Sequence, residues 1–343
     1  MYICRKKAHV LAKMSVLRPY LRTFLAKKNA FASMSASSFH RTATNHAEII
    51  DGKKISKLVQ AEVAEEVKTW VAAGHRPPHL TAVLVGEDPA SAVYVRNKMK
   101  AAQECGITSE TIREPDTMTE AALLSLVDDL NKSDTVDGIL VQLPVPPHMD
   151  KRKICDAVSP NKDVDGFNMV NVGRLVLDLP TLLPATPYGV WELIKRSGVE
   201  TVGKNAVVMG RSKNVGLPLA LLLAADQRNT LKMGLNCNVT ICHSKTSPEM
   251  MRYYMTNADI IVAAAGRPRM ITADMVKEGA AILDVGINRI QDPKTGKFRL
   301  VGDVDYEGVF DKVGHITPVP GGVGPMTVAM LMKNTLQVAK GEI

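Results

Sequence analysis

Asp and Glu are missing from the first 47 residues, which hold nine Lys/Arg, so of the formal net charge of +8 the rest of the chain carries about −1. A nearly neutral body lacks the basic face that nucleic-acid binding requires. Cysteine is scarce: Cys4, Cys105, Cys155, Cys237 and Cys242 form no C-x-x-C pair and stand beside no histidine cluster at zinc spacing. Buried free thiols are the expectation, without a structural metal. No apolar run approaches the roughly 18 residues that cross a bilayer. The run 219–225 is long enough only for a short buried helix, so no membrane association is expected. The G-x-x-x-x-G-K-[ST] loop is also missing, which leaves ATP-driven chemistry unsupported.

What fills the acid-free start is informative. Val10, Met14, Leu17, Leu21, Phe24 and Leu25 recur near a helical period between basic residues, within a Ser-rich stretch. This is the pattern of a mitochondrial presequence, so residues 1–47 are expected to direct a soluble protein to the matrix. A disordered basic tail of a cytosolic protein is the alternative. Starts at Met14 or Met34 would change the localisation.

A chain of 343 residues with 45% hydrophobic content suits two domains. From residue 80 onward, strand-like and helical stretches alternate. Residues 80–85, 107–112 and 138–141 read as strands. Residues 89–105 read as a helix capped by Asp88, with Pro89 in its first turn and Gly106 after it. Thr117-x-x-Glu120 resembles a capping box for a helix to about residue 131. Such a succession implies a parallel α/β sheet whose functional groups gather at the carboxyl ends of the strands. Thr186 and Pro187 are expected to start a connecting helix to residue 196. A second unit then reads as strand 206–209, loop Gly210-Arg211-Ser212-Lys213-Asn214-Val215-Gly216, a helix from Leu217, and strands at 239–242, 260–264 and 281–284. That is the rhythm of a Rossmann-like dinucleotide fold. The Gly210 to Gly216 loop lacks G-x-G-x-x-G, but its context would face N–H groups and a helix N-terminus toward a pyrophosphate. A plain strand-to-helix connection is the other reading.

Three stretches point to one site. Tyr94 and Lys98 are one helical turn apart, placing an aromatic platform beside an amine. Val141-Gln142-Leu143-Pro144 sets an amide at a strand end. Pro318-Val319-Pro320-Gly321-Gly322-Val323-Gly324-Pro325-Met326-Thr327 is too rich in Gly and Pro for packing alone. Without their common order, a solvated helix face, a strand cap and a turn-forming Asp165 would be the plainer readings.

These motifs, with Asp163-Val164-Asp165-Gly166 and Gly210-Arg211-Ser212, resemble the methylenetetrahydrofolate dehydrogenase/cyclohydrolase family, in its order and over nearly everything after Glu48. The basic start makes the chain most similar to the mitochondrial bifunctional members. The resemblance implies an N-terminal α/β catalytic domain, 48–187, completed by residues 325–343 and including a last helix from about 325 to 340. It implies an NAD(P)-binding domain, 188–324, a folate cleft between them, and a homodimer. It also implies oxidation of 5,10-methylenetetrahydrofolate followed by hydrolysis of the methenyl product to the 10-formyl form. A monofunctional dehydrogenase, or a non-catalytic folate- or dinucleotide-binding protein, is the alternative.

By the same resemblance Lys98 transfers the proton of the hydrolytic step, helped by burial and by Gln142. Tyr94 packs on the folate ring and Asp165 binds the pterin's donor edge. Val141, Leu143, Pro320, Gly321, Gly322, Val323 and Gly324 complete the folate contacts. Gly210, Arg211, Ser212, Val215, Gly216, Ser244, Ile287, Gly324 and Thr327 contact the dinucleotide. The second strand of that unit ends in His243-Ser244-Lys245, with no acid for a ribose 2′-hydroxyl, and Arg211 with Ser244 fits the 2′-phosphate of NADP. The long loop 226–238 resembles that of NAD-using mitochondrial members, which recruit phosphate and magnesium. Those members carry arginine where Ser244 stands and aspartate where Asn236 stands. NAD and NADP both stay open.

Overall fold

The computed structural model describes residues 46–226, 233–291 and 296–342. The expected targeting segment lies outside the described residues except for its last two positions, as do Met14, Met34 and part of the loop 226–238. Residues from Asn45 onward form one compact unit.

The chain runs β1 (Glu48–Ile49), α1 (Gly52–Ala72), β2 (His79–Val85), α2 (Pro89–Glu104), β3 (Thr108–Glu114), α3 (Glu120–Lys132) and β4 (Gly138–Val141). Short helices α4 (Lys151–Ala157) and α5 (Met169–Val176) lead to α6 (Ala185–Arg196). The second half holds β5 (Asn205–Met209), α7 (Gly216–Ala224), β6 (Asn238–Cys242), α8 (Pro248–Thr256), β7 (Ile260–Ala263) and β8 (Ala281–Asp284). A hairpin of β9 (Asn288–Gln291) and β10 (Phe298–Val301), α9 (Tyr306–Val309), β11 (His315–Ile316) and α10 (Val323–Lys340) complete it.

Two parallel sheets result. The first has the order β3-β2-β4; the second has the order β1-β11-β8-β7-β5-β6. The short β1 pairs with β11, so residues 48–49 join the second sheet although they precede the first. In the second sheet the chain moves from β5 outward to β6 and then crosses to β7 on the other side of β5. That reversal opens a crevice at the carboxyl ends of β5 and β7, where doubly wound folds bind ligands.

Local chemistry sets most boundaries. Asp88 accepts the Ser91 N–H at 2.7 Å and Pro89 opens α2, as expected. Ser247 caps α8 through the Met250 N–H. Helix α3 departs from expectation: its cap is Thr119, which accepts from Ala122 N–H, while Thr117 lies in a turn closed by the Met118 N–H on the Pro115 carbonyl. Helix α6 begins at Ala185 after Pro184, so Thr186 lies inside its first turn, and its hydroxyl meets that of Thr327 at 3.0 Å.

Helix α10 ties the halves together. It packs against α6, α1 and α2 through a buried face that includes Met326, Ala329, Met330 and Leu336. Each buried Met or Leu side chain there contributes about 1.5–3 kcal/mol. Helix α1 meets it with Val59, Val63 and Val67, one face of a 3.6-residue repeat. Among the described residues no helix is long and apolar enough to cross a membrane. Among them, too, no group of three or more His, Cys, Asp or Glu is arranged to hold a metal ion.

Candidate active site

Gln142 follows β4 directly, and its backbone N–H donates to the Val83 carbonyl at 2.9 Å. Its side-chain amide is oriented by Nε2, which donates to the Leu143 carbonyl at 2.7 Å. That leaves Oε1 facing α2, where it accepts from Lys98 Nζ at 3.1 Å. Lys98 is only 8% exposed, and the partner its amine meets is this neutral amide. The amide therefore holds the amine in place by accepting a hydrogen bond from it, rather than by donating one to it.

One turn back on α2, Tyr94 stays 42% exposed and lines a cavity of about 560 Å³. The opposite wall is the stretch from Pro318 to Pro325, together with Gly286 and Ile287 after β8. Gly321 needs its glycine: φ is +117°, and an added Cβ would lie 3.2 Å from the Lys53 side chain. The Lys53 N–H in turn donates to the Gly321 carbonyl, fastening α1 to this wall. The Leu143–Pro144 and Val319–Pro320 peptide bonds are cis.

The cavity thus brings together Tyr94, Ile287, Pro320, Gly321, Gly322, Val323 and Gly324. Val141, Lys98, Gln142, Leu143 and Asp165 are not among the residues lining it. Asp165 is half-buried in the turn after Asp163. This turn is closely held. The Asp163 carboxylate accepts from Asn168 N–H at 2.7 Å and Asn171 Nδ2 at 3.0 Å. Burial nonetheless pushes its carboxyl up to about 7. Asn334 of α10, fully buried, donates from Nδ2 to the carbonyls of Val164 and Leu183 at 2.8 and 2.9 Å.

A second pocket of about 240 Å³ opens at the carboxyl ends of β5, β6 and β7. Gly210, Arg211, Ser212 and Ser244 line it, as does Arg267, which sequence reasoning did not single out. Val215 and Gly216 lie beyond it, where α7 begins. Here the helix end differs from expectation. The Gly216 and Leu217 N–H groups are taken by the Ser212 hydroxyl and carbonyl, and Pro218 has none. Among the described residues the N–H groups from Arg211 to Val215 have no protein acceptor. The loop rather than the helix end is left to receive an anion.

Sequence reasoning also passed over Lys53 and Lys57, which reach the large cavity from α1. The four-residue spacing of Ile55, Val59, Val63 and Val67 was the available signal for that helix. Asp284 ends β8 at the cavity; burial raises its carboxyl to about 7, although it accepts the N–H groups of Gly286, Asp303 and Val304.

Comparison with known proteins agrees with this geometry. Residues 50–165 match the catalytic-domain model of tetrahydrofolate dehydrogenase/cyclohydrolase, and residues 184–343 match its NAD(P)-binding-domain model. The chain is 60% identical over 294 residues to the mitochondrial bifunctional methylenetetrahydrofolate dehydrogenase/cyclohydrolase of Gallus gallus, covering 86% of this chain and 87% of that one. Among solved structures it resembles a 5,10-methylenetetrahydrofolate dehydrogenase from the silkworm Bombyx mori, with TM-score 0.82, 50% identity and coverage of 86% and 99%. It also resembles the Trypanosoma brucei dehydrogenase-cyclohydrolase complexed with NADP and an inhibitor, with TM-score 0.80, 39% identity and coverage of 87% and 98%. By two domain models in sequence order and by overall likeness to these relatives, this chain belongs to the tetrahydrofolate dehydrogenase/cyclohydrolase family.

Proposed function

We propose that this chain oxidises 5,10-methylenetetrahydrofolate with a nicotinamide dinucleotide and hydrolyses the methenyl product to 10-formyltetrahydrofolate, using one folate site for both steps. The observation that carries the reading is the Lys98–Gln142 hydrogen bond one helical turn from Tyr94. The dinucleotide, when bound, accepts the hydride. The protein's part in that step is positioning: Tyr94 supports the folate ring while the backbone of residues 320–324 approaches it from the opposite wall. Asp165 accepts the pterin's paired N–H donors from a turn held by Asp163 and Asn334. In the hydrolytic step Lys98 takes the proton of the attacking water, with Gln142 fixing the direction of its amine.

Gly210, Arg211, Ser212, Val215, Gly216, Ser244, Ile287, Gly324 and Thr327 hold the dinucleotide. The residues fit that ligand: the small pocket is lined by arginines and by Ser244, and no carboxylate lines it. This favours NADP, as does the NADP-bound Trypanosoma relative. The likeness of the loop 226–238 to that of NAD-using mitochondrial members keeps NAD with phosphate and magnesium as the second reading. We assign residues 48–187 with 325–343 to the folate half and 188–324 to the dinucleotide half, residues 48–49 contributing a strand to the latter's sheet. The acid-free start supports import into the mitochondrial matrix. A homodimer is supported by the open edge of β6 beside exposed Met169, Val176 and Ile241, an apolar face that a second copy would cover.

The test is initial rates on protein starting at Glu48, with methylenetetrahydrofolate and either NAD or NADP, each with and without magnesium and phosphate. NADP activity indifferent to the ions is expected. NAD activity requiring both ions would move the chain to the second cofactor reading, and no rate with either would contradict the enzyme assignment.

A further inference from the structure

The pocket at the carboxyl ends of β5, β6 and β7 contains an arginine for which neither the motif nor the family comparison assigns a role. Arg267 follows β7, Arg211 follows β5 and Ser244 follows β6, so each side chain comes from the loop after a different strand of three adjacent ones. All three line the same cavity of about 240 Å³, together with His243. No carboxylate residue lines that cavity beside Arg211 and Arg267. Both residues are exposed, so an anion entering the cavity meets two positive charges.

The loops bearing them are fixed. Asp303, fully buried, accepts the N–H groups of Ala265, Gly266 and Arg267 at 2.7, 2.9 and 2.9 Å, and Asn288 Nδ2 at 2.8 Å. Three successive N–H groups locked onto one buried carboxylate leave the Arg267 backbone little freedom. Gly210, with φ of +125°, lies so close to this loop that a Cβ on it would come within 2.2 Å of the Ala264 carbonyl oxygen. The Arg211 and Arg267 loops therefore touch at the crevice where the strand order reverses.

We propose that Arg267 completes a phosphate-monoester site begun by Arg211 and Ser244, and so helps to determine which dinucleotide the enzyme takes. The inference rests on the dinucleotide reading above. A phosphate monoester offers three oxygens and up to two negative charges, which suits two guanidinium forks and a hydroxyl approaching from three loops. The phosphate comes either from the ribose 2′-position of NADP or from free phosphate bound beside NAD. The site's chemistry is the same in both cases.

The experiment is calorimetric binding to the full-length chain and to Arg267→Gln. The ligands are 2′,5′-ADP, 5′-AMP, which lacks only the 2′-phosphate, and NAD with and without inorganic phosphate. Loss of one charged donor is expected to weaken 2′,5′-ADP about tenfold or more. Affinity for 5′-AMP should stay within about twofold, which shows that the variant is folded, and Arg267→Lys should recover part of the loss. If the free ion is the source, the same substitution instead abolishes the gain in NAD affinity that phosphate provides. Equal weakening of both nucleotides, or no change in either phosphate-dependent affinity, would overturn the proposal. Failure of the wild-type chain to bind any of these nucleotides would remove the dinucleotide reading on which it rests, an outcome distinct from an unchanged Arg267→Gln.

Discussion

The Gln142 amide oxygen accepts from the Lys98 amine at 3.1 Å, joining the end of β4 to the middle of α2. Because the amide nitrogen is committed to the Leu143 carbonyl, only one orientation of Gln142 satisfies both contacts. This pair fixes the amine one helical turn from Tyr94, which lines the cavity. The consequences of the surrounding framework can be measured separately.

Replacing Asn334 by Leu removes the donor that holds the Val164 and Leu183 carbonyls. Two buried acceptors lose their partner, at a cost of about 2–4 kcal/mol. Thermal unfolding should report the loss. Because Val164 adjoins Asp165, the KM for folate should rise more than the KM for the dinucleotide.

Gly210→Ala places a Cβ against the Ala264 carbonyl at a φ that L-residues avoid. The strain is worth about 1–3 kcal/mol. Relief by moving the loop should weaken NADP binding markedly while leaving folate binding to the apoenzyme near normal, as equilibrium titration with each ligand would show.

The Asp163 carboxyl is raised by burial from its ordinary 3.8 to about 7. A carboxyl raised in the folded state adds stability that is fully present below its unfolded value and is lost as pH rises through about 7. Asp163→Asn cannot titrate. The stability of the wild type relative to this variant should therefore fall between pH 4 and 7, by an amount on the order of 2–4 kcal/mol, and then level off. Denaturant unfolding of both proteins across that range gives the difference directly.

Much of this architecture was legible because local signals were undiluted. Asp88-Pro89 started α2 where expected, and the short apolar runs of β4, β5 and β8 lay close to their expected limits. Thr117 misled because a turn from Pro115 claimed it before the helix cap at Thr119, two residues later. The Gly210 loop was placed correctly between strand and helix, but Ser212 folding back on Gly216 and Leu217 could not be read from spacing. Arg267 and Asn334 were illegible for a related reason. Their partners lie 36 and 170 residues away, and only the tertiary fold brings Asp303 and Val164 to them.

Lys98 is assigned to the hydrolytic step in a site shared with the oxidation. The most direct measurement follows methenyltetrahydrofolate by its absorbance in Lys98→Met supplied with methylenetetrahydrofolate and the preferred dinucleotide. The methenyl form should accumulate and its enzymatic decay fall by about 10²–10⁴-fold, while oxidation is retained to a measurable degree. Decay at the wild-type rate would contradict the assignment.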